Sequence, residues 1–360
     1  MLFPFQLAIP IQESVATLRF KTDQASLPSV SNLARLLRAR PMAYIQSHEG
    51  RDDWLTFFDA RGLKVASLQF VNQDGVNVRV SPTFRFLAVI TSGPKLSNEV
   101  RIVDARGIQV KEPHVDLGRV SEMRWDAKDR FLVTFDDPVM KIVFDGNRGL
   151  GSQSCEGRLI KASDVIPLKV RNKSLNLCGR FGLSLGQQPN YFWMDDQYNP
   201  VKGPTLPSRV WSSLKESMVA ASAPDREHFA FDNPFTGVRS VVSLNGYRID
   251  QIGRVGTYFF WLPKYDKIIA GFIRGHVNRL EVYDALKRTS STIPVPNPSS
   301  VVFACPVSNS RVIIMSRPQK VTDPEARISC FSLSKGRTLF EIAVHGAPKF
   351  LKSCFWEDLP

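Results

Sequence analysis

A nine-residue segment occurs twice in this chain, almost verbatim: residues 57–65 read FFDARGLKV and residues 102–110 read IVDARGIQV. An apolar strand, a D-A-R-G turn and a second apolar strand therefore recur after 45 residues. A period of about 40–50 residues restricts a chain to architectures that repeat one supersecondary unit many times.

Weaker copies of the unit follow. Turns are predicted at Asp145 in IVFDGNRG, Asp196 in FWMDDQYNPV, Asn245 in VVSLNGYRI, Asp284 in LEVYDALKR and near Ser334 in ISCFSLSKGRTL. With Asp59 and Asp104 this makes seven turns. A second unit, an apolar strand, a short polar hinge and another apolar strand, precedes most of them. Its copies begin at Val76, Glu122, Leu175, Met218, Tyr258 and Val301. Short β-branched and aromatic runs bounded by Pro, Gly, Asn and Asp are the pattern of antiparallel hairpins. Four strands, here A to D, in about 40–50 residues make one blade of a β-propeller.

The hinge copies number six, one fewer than the turns. The first repeat, from Met42, supplies strands B, C and D only, whereas the last residues, KFLKSCFWEDLP, read as a lone strand A. The expected fold is all-β, a seven-bladed β-propeller closed when the C-terminal strand completes the first blade. Residues 350–357 are predicted to pair beside residues 42–47, which removes two exposed strand edges. Residues 1–41 form a short N-terminal extension and residues 42–360 the propeller.

The hinge SPTFRFLAV at Ser81 resembles the SPDG-x-x-LAV hinge of WD40-like and TolB-like propellers, and APDREHFAF at Ala223 is a looser version. No Gly-His opens a blade and no Trp-Asp ends a strand C, as they do in WD40 blades; Phe58-Asp59, Val103-Asp104 and Tyr283-Asp284 stand where Trp-Asp would. The resemblance implies a binding platform that presents its rims and central funnel to proteins, peptides or nucleic acids.

In the extension, VATLRF reads as a strand and SVSNLARLLRAR as a helix that Ser29, Ser31 or Asn32 can cap and that Pro41 ends. Leu33, Leu36 and Leu37 share one face, expected to cap the propeller, with Arg35, Arg38 and Arg40 in water; the competing reading is a basic helix for an anionic membrane or an acidic partner. The connection from Leu150 to Lys173 reads as a long basic loop.

The chain carries a formal charge of +13 and a pI near 9.7, which favours an acidic partner. It has no apolar run long enough to span a bilayer. Its apolar first eleven residues lack the basic start and cleavage site of a secretory leader. Five cysteines, odd in number and without a C-x-x-C pair, argue against a disulfide framework or zinc site and for a reducing, cytoplasmic setting, or a nuclear one in a eukaryote. Those in FACPV, ISCFSL and KSCFW read as small buried hydrophobes.

Five histidines show no metal-binding spacing, with His228 expected exposed in a hinge, and no nucleotide or acyl-transfer motif is found. No metal or cofactor is expected. Asp52-Asp53 and Asp136-Asp137 fall in B–C connections, where exposed turn carboxylates are expected. The same connections carry Lys95, Arg274, His276, Arg317, Lys320 and Arg327, the expected partner-binding residues. The function expected is non-catalytic: protein–protein interaction through one rim, with an acidic protein or peptide as partner. Phosphate contact with nucleic acid is the second reading, and a metal-dependent, lactonase-like funnel enzyme the third.

Overall fold

The D-A-R-G turn is held by its aspartate. Asp59 Oδ1 accepts from Arg61 N at 2.8 Å and Leu63 N at 3.0 Å, and Gly62 N donates to Asp59 O at 2.9 Å. Gly62 sits at φ +77°, the left-handed position that a type I turn with a bulge requires at this point. Asp104 repeats the geometry with Arg106 N at 2.9 Å and Ile108 N at 2.8 Å. In the fourth copy Asp195, not Asp196, does this, accepting from Gln197 N at 2.8 Å and Asn199 N at 2.9 Å.

A computed structural model describes residues 28–71, 74–92, 98–110, 120–135, 140–146, 149–154, 165–170, 173–178, 192–197, 199–215, 219–223, 225–233, 238–254, 259–262, 267–270, 279–294, 299–318 and 326–355. These residues form seven four-stranded antiparallel sheets. The first holds Ala43–Glu49, Asp52–Phe58 and Lys64–Phe70, with Ala347–Ser353 on the free side of Ala43–Glu49. The second holds Asp74–Val80, Phe86–Ser92, Asn98–Asp104 and Gln109–Val110; the third Val120–Trp125, Arg130–Phe135, Met140–Asp145 and Gly149–Ser154. In the fourth are Val165–Val170, Lys173–Cys178, Phe192–Met194 and Pro200–Val201, and in the fifth Val219–Ser222, His228–Asn233, Val238–Ser243 and Arg248–Arg254. The sixth contains Phe259–Trp261, Lys267–Ala270, Arg279–Asp284 and Thr289–Pro294; the seventh Ser299–Ser308, Arg311–Pro318, Arg327–Ser332 and Arg337–Ile342.

The fourth sheet differs from the expectation. Leu175 is expected to open strand A, but Lys173–Cys178 pairs on both sides, and the first strand of the sheet is Val165–Val170, within the stretch read as a loop. Pro167 masks this strand in the sequence, because proline is tolerated only where no ladder donor is needed, as on an edge.

Neighbouring sheets pack face to face, so their strands are apolar on both sides. Phe57 and Phe70 of the first sheet meet Val78 and Leu87 of the second, whose Ala88 and Ile102 meet Met123 and Phe131 of the third. Trp193 of the fourth meets Phe229 of the fifth, Val241 of the fifth meets Trp261 of the sixth, and Val282 of the sixth meets Ile314 of the seventh. Ile313 and Cys330 of the seventh pack on Ile45 and Phe58 of the first. Polar contacts join the third and fourth, where Lys128 Nζ lies 3.2 Å from Asp196 Oδ2. Cys305, Cys330 and Cys354 are buried, as small hydrophobes.

Within a sheet, the C–D turn bonds the A–B hinge: Ala105 N donates to Arg85 O at 3.0 Å, Gly146 N to Asp129 O at 3.0 Å, Leu244 N to Glu227 O at 2.8 Å and Leu333 N to Ser310 O at 2.9 Å. Between sheets, Arg311 donates to Arg61 O and Arg130 to Asp196 O. Hinges and turns thus share one end of the sheets, and B–C connections the other.

Ala347–Ser353 pairs from Ala43↔Ser353 to His48↔Ala347, so the terminal strand starts earlier than residue 350 and ends at Ser353. The helix runs Val30–Arg38, capped by Ser29, whose Oγ accepts from Asn32 N at 3.3 Å. Leu33, Leu36 and Leu37 are buried against the first two sheets, and Arg38 Nη1 donates to Ala105 O at 2.8 Å. With its apolar face already covered, the helix cannot offer that face to a membrane. VATLRF lies outside the described residues.

Candidate functional site on the first sheet

Of the expected partner-binding residues, Lys95, Arg274, His276 and Lys320 lie outside the described residues, as do Asp136 and Asp137. Arg317 falls in strand Arg311–Pro318, its backbone opposite Ser300. Arg327 is exposed and opens strand C of the seventh sheet, opposite Ser316.

Asp53 overturns its expectation. It stands inside strand Asp52–Phe58 at 1% exposure, directly opposite His48. A carboxylate this buried needs partners: Gln46 Nε2 donates to its Oδ2 at 2.9 Å, and His48 Nδ1–H donates to its Oδ1. The arrangement fixes the imidazole, whose side chain stays 35% exposed. The local signal was the tight turn: Gly50, at φ +66°, brings His48 and Asp53 together across the hairpin.

Other side chains surround the pair's strands. Asp52 Oδ2 accepts from Gln69 Nε2 at 2.7 Å, and Trp54 lies opposite Gln69. Trp54 Nε1 and Gln69 Oε1 are buried without a hydrogen-bond partner among the described residues. The Trp54 ring stacks on His345, with centroids 4.6 Å apart and planes at 27°. His345 comes from the other end of the chain and precedes Gly346, which packs against the His48 carbonyl.

His228 is also corrected. Rather than exposed, it is 5% accessible, with Nδ1 2.7 Å from Asp225 Oδ2, the carboxylate that also caps its hinge. Among the described residues no three His, Cys, Asp or Glu side chains gather as a metal site would require, and no helix is long and apolar enough to cross a membrane.

At the opposite end of the sheets the carboxylates are strongly held. Burial alone would raise Asp104, but hydrogen bonds from Ile108 N and from the Arg106 side chain and backbone bring it below the ordinary 3.8. Asp195, bonded by Asn199 and Gln197, and Asp250, bonded by Arg288 and Tyr283, are lowered likewise against the effect of burial. A folded pKa below the unfolded one stabilises the protein above the unfolded value, and that stability is lost as pH falls through the folded one. The thermal midpoint is therefore expected to drop below about pH 4. Asp104→Asn should cost about 1 kcal/mol at neutral pH and flatten the acid slope, checked by melts from pH 2 to 7 at about one-unit steps.

No family model matches the chain, and no curated protein matches it. Among solved structures it is similar to dihydro-heme d1 dehydrogenase NirN, at 13% identity and TM-score 0.51 over 87% of this chain and 68% of that one. It is similar to oligogalacturonate lyase from Vibrio parahaemolyticus at 9% identity and TM-score 0.51, over 85% of each chain. TolB from Acinetobacter baumannii aligns at 10% identity and TM-score 0.40, over 91% of this chain and 86% of that one. At these identities the likeness concerns the fold alone, that of a β-propeller.

Proposed function

We propose that the seven sheets are the blades of one ring, closed by Ala347–Ser353 on the first blade, and that the ring is a non-catalytic binding module for an acidic protein or peptide. The partner is received on the B–C rim. The observation that carries this reading is His48, held by buried Asp53 and 35% exposed in its side chain, on the blade next to the one where exposed Arg327 opens strand C. Arginine gives paired, charge-assisted hydrogen bonds to carboxylates, and an oriented imidazole beside it adds a further polar contact. The excess of 47 Lys and Arg over 34 Asp and Glu supports the choice of an acidic partner.

The test is affinity capture on the immobilised full chain, compared with the triple variant Arg274→Glu, Arg317→Glu, Lys320→Glu. Bound proteins are expected to fall at least about tenfold with the variant. Equal recovery would remove this rim, and recovery abolished by nuclease would transfer the interaction to nucleic acid.

A further inference from the structure

The D-A-R-G turn is formally neutral and its charges are paired, with Arg61 Nε 2.8 Å from Asp59 Oδ2 and Arg106 Nη2 2.7 Å from Asp104 Oδ2, but the two partners are unequally exposed. Asp59 and Asp104, 9% and 6% exposed, turn inward onto backbone N–H groups. The side chains of Arg61 and Arg106 are 70% and 79% exposed. Each turn therefore presents the outer side of a paired guanidinium to water and keeps its carboxylate beneath.

Beside these cations stand apolar side chains that are not buried. Leu63 is 38% exposed, Ile108 53%, Val201 36% and Leu286 69%. Leu63, Ile108 and Leu286 belong to the C–D connections of the first, second and sixth sheets and Val201 to strand D of the fourth, and each lies within two residues of an exposed Arg or Lys. Helix residue Arg38 adds its guanidinium at the second of these turns by bonding Ala105 O. Asp196, 41% exposed in its side chain, is a carboxylate on this end, and it is paired with Lys128.

Aliphatic tips interleaved with cations on one end of the fold need a partner that satisfies both. Nucleic acid offers phosphates to the arginines and little to isoleucine or leucine. An anionic bilayer offers headgroup phosphates and, a few ångströms deeper, hydrocarbon. We propose that the end bearing the C–D turns docks on the surface of an anionic phospholipid bilayer, with Arg61, Arg106 and Arg38 at the headgroups and Ile108 and Leu286 dipping beneath them. This leaves the B–C rim facing away from the lipid, and neither interaction requires the other.

The experiment is vesicle flotation of the full chain at about physiological ionic strength, with vesicles of phosphatidylcholine alone or with about one third phosphatidylserine. The protein is expected to float with the anionic vesicles and not with the neutral ones. The double variant Ile108→Ser, Leu286→Ser changes only exposed side chains, so its thermal midpoint should match the parent while its bound fraction falls about tenfold or more. Arg61→Gln with Arg106→Gln should also reduce flotation, more at low salt than at high. Ile108→Trp supplies a direct reading of insertion: anionic vesicles should shift its added emission to the blue. Absence of flotation, equal flotation of the Ser variant or an unshifted Trp spectrum would overturn the proposal. Salt-sensitive retention of a single-stranded oligonucleotide without flotation would do so in favour of nucleic acid.

Discussion

Removal of residues 347–360 is expected to replace a single cooperative melt with an aggregating chain that has no thermal transition. The deletion strips Ala43–Glu49 of its second ladder and leaves an open strand edge. It also removes Leu351 and Cys354, 1% and 0% exposed, and the hydrogen bonds by which Cys354 joins two sheets: Cys354 N to Met42 O at 3.0 Å and Val80 N to Cys354 O at 2.7 Å. With two buried side chains at about 1.5–3 kcal/mol each and a strand's backbone groups unpaired, the loss is on the order of 5 kcal/mol or more, comparable with the whole stability of many domains. Circular dichroism melts and size exclusion check it. A truncated chain that melts like the full one would remove the terminal strand from any closing role.

Gly346→Ala carries the next largest effect. The residue sits at φ +63°, and an added Cβ would meet His48 O at 2.4 Å and His48 C at 2.9 Å. Both are backbone atoms of a paired strand, so they cannot rotate away. A left-handed alanine costs about 1–2 kcal/mol and the overpacking about 1–3 kcal/mol, giving an expected loss of about 3 kcal/mol in urea unfolding. The displacement should also lift His345 from Trp54 and change the indole emission. An unchanged urea midpoint would show that the terminal strand does not approach His48 this closely.

The turn repeat was legible because its cause is local: an aspartate that caps two backbone N–H groups and a glycine that takes positive φ both leave marks at fixed spacing. The helix was legible for the same reason, since Ser29 caps it and its leucines share a face. The fourth sheet was not, because Pro167 reads as a loop signal although an edge strand tolerates it. Asp53 was misread because an Asp-Asp pair after Gly50-Arg51 has the composition of a turn, while the residues that bury it, Gln46 and His48, lie across the hairpin. His228 failed similarly, held inward by a hinge carboxylate.

The site's remaining parts had no local signal. Trp54 and His345 come from opposite ends of the chain, and only the pairing of those ends stacks them. The exposed aliphatics of the C–D turns were hidden for a different reason. In a sequence, Leu63 and Ile108 look like the first core positions of a strand, and only the turn's bulge directs them outward. The two rims then differ in kind: one offers an oriented imidazole and arginine, the other cations alternating with apolar tips.

Hydrogen exchange tests the joined ends most directly. If Ala347–Ser353 closes the ring, its amides and those of Ala43–Glu49 should exchange together, and only through the opening that exposes the sheet core. Rapid exchange of Ala347–Ser353 while Ala43–Glu49 and Asp52–Phe58 stay protected would contradict the closed ring.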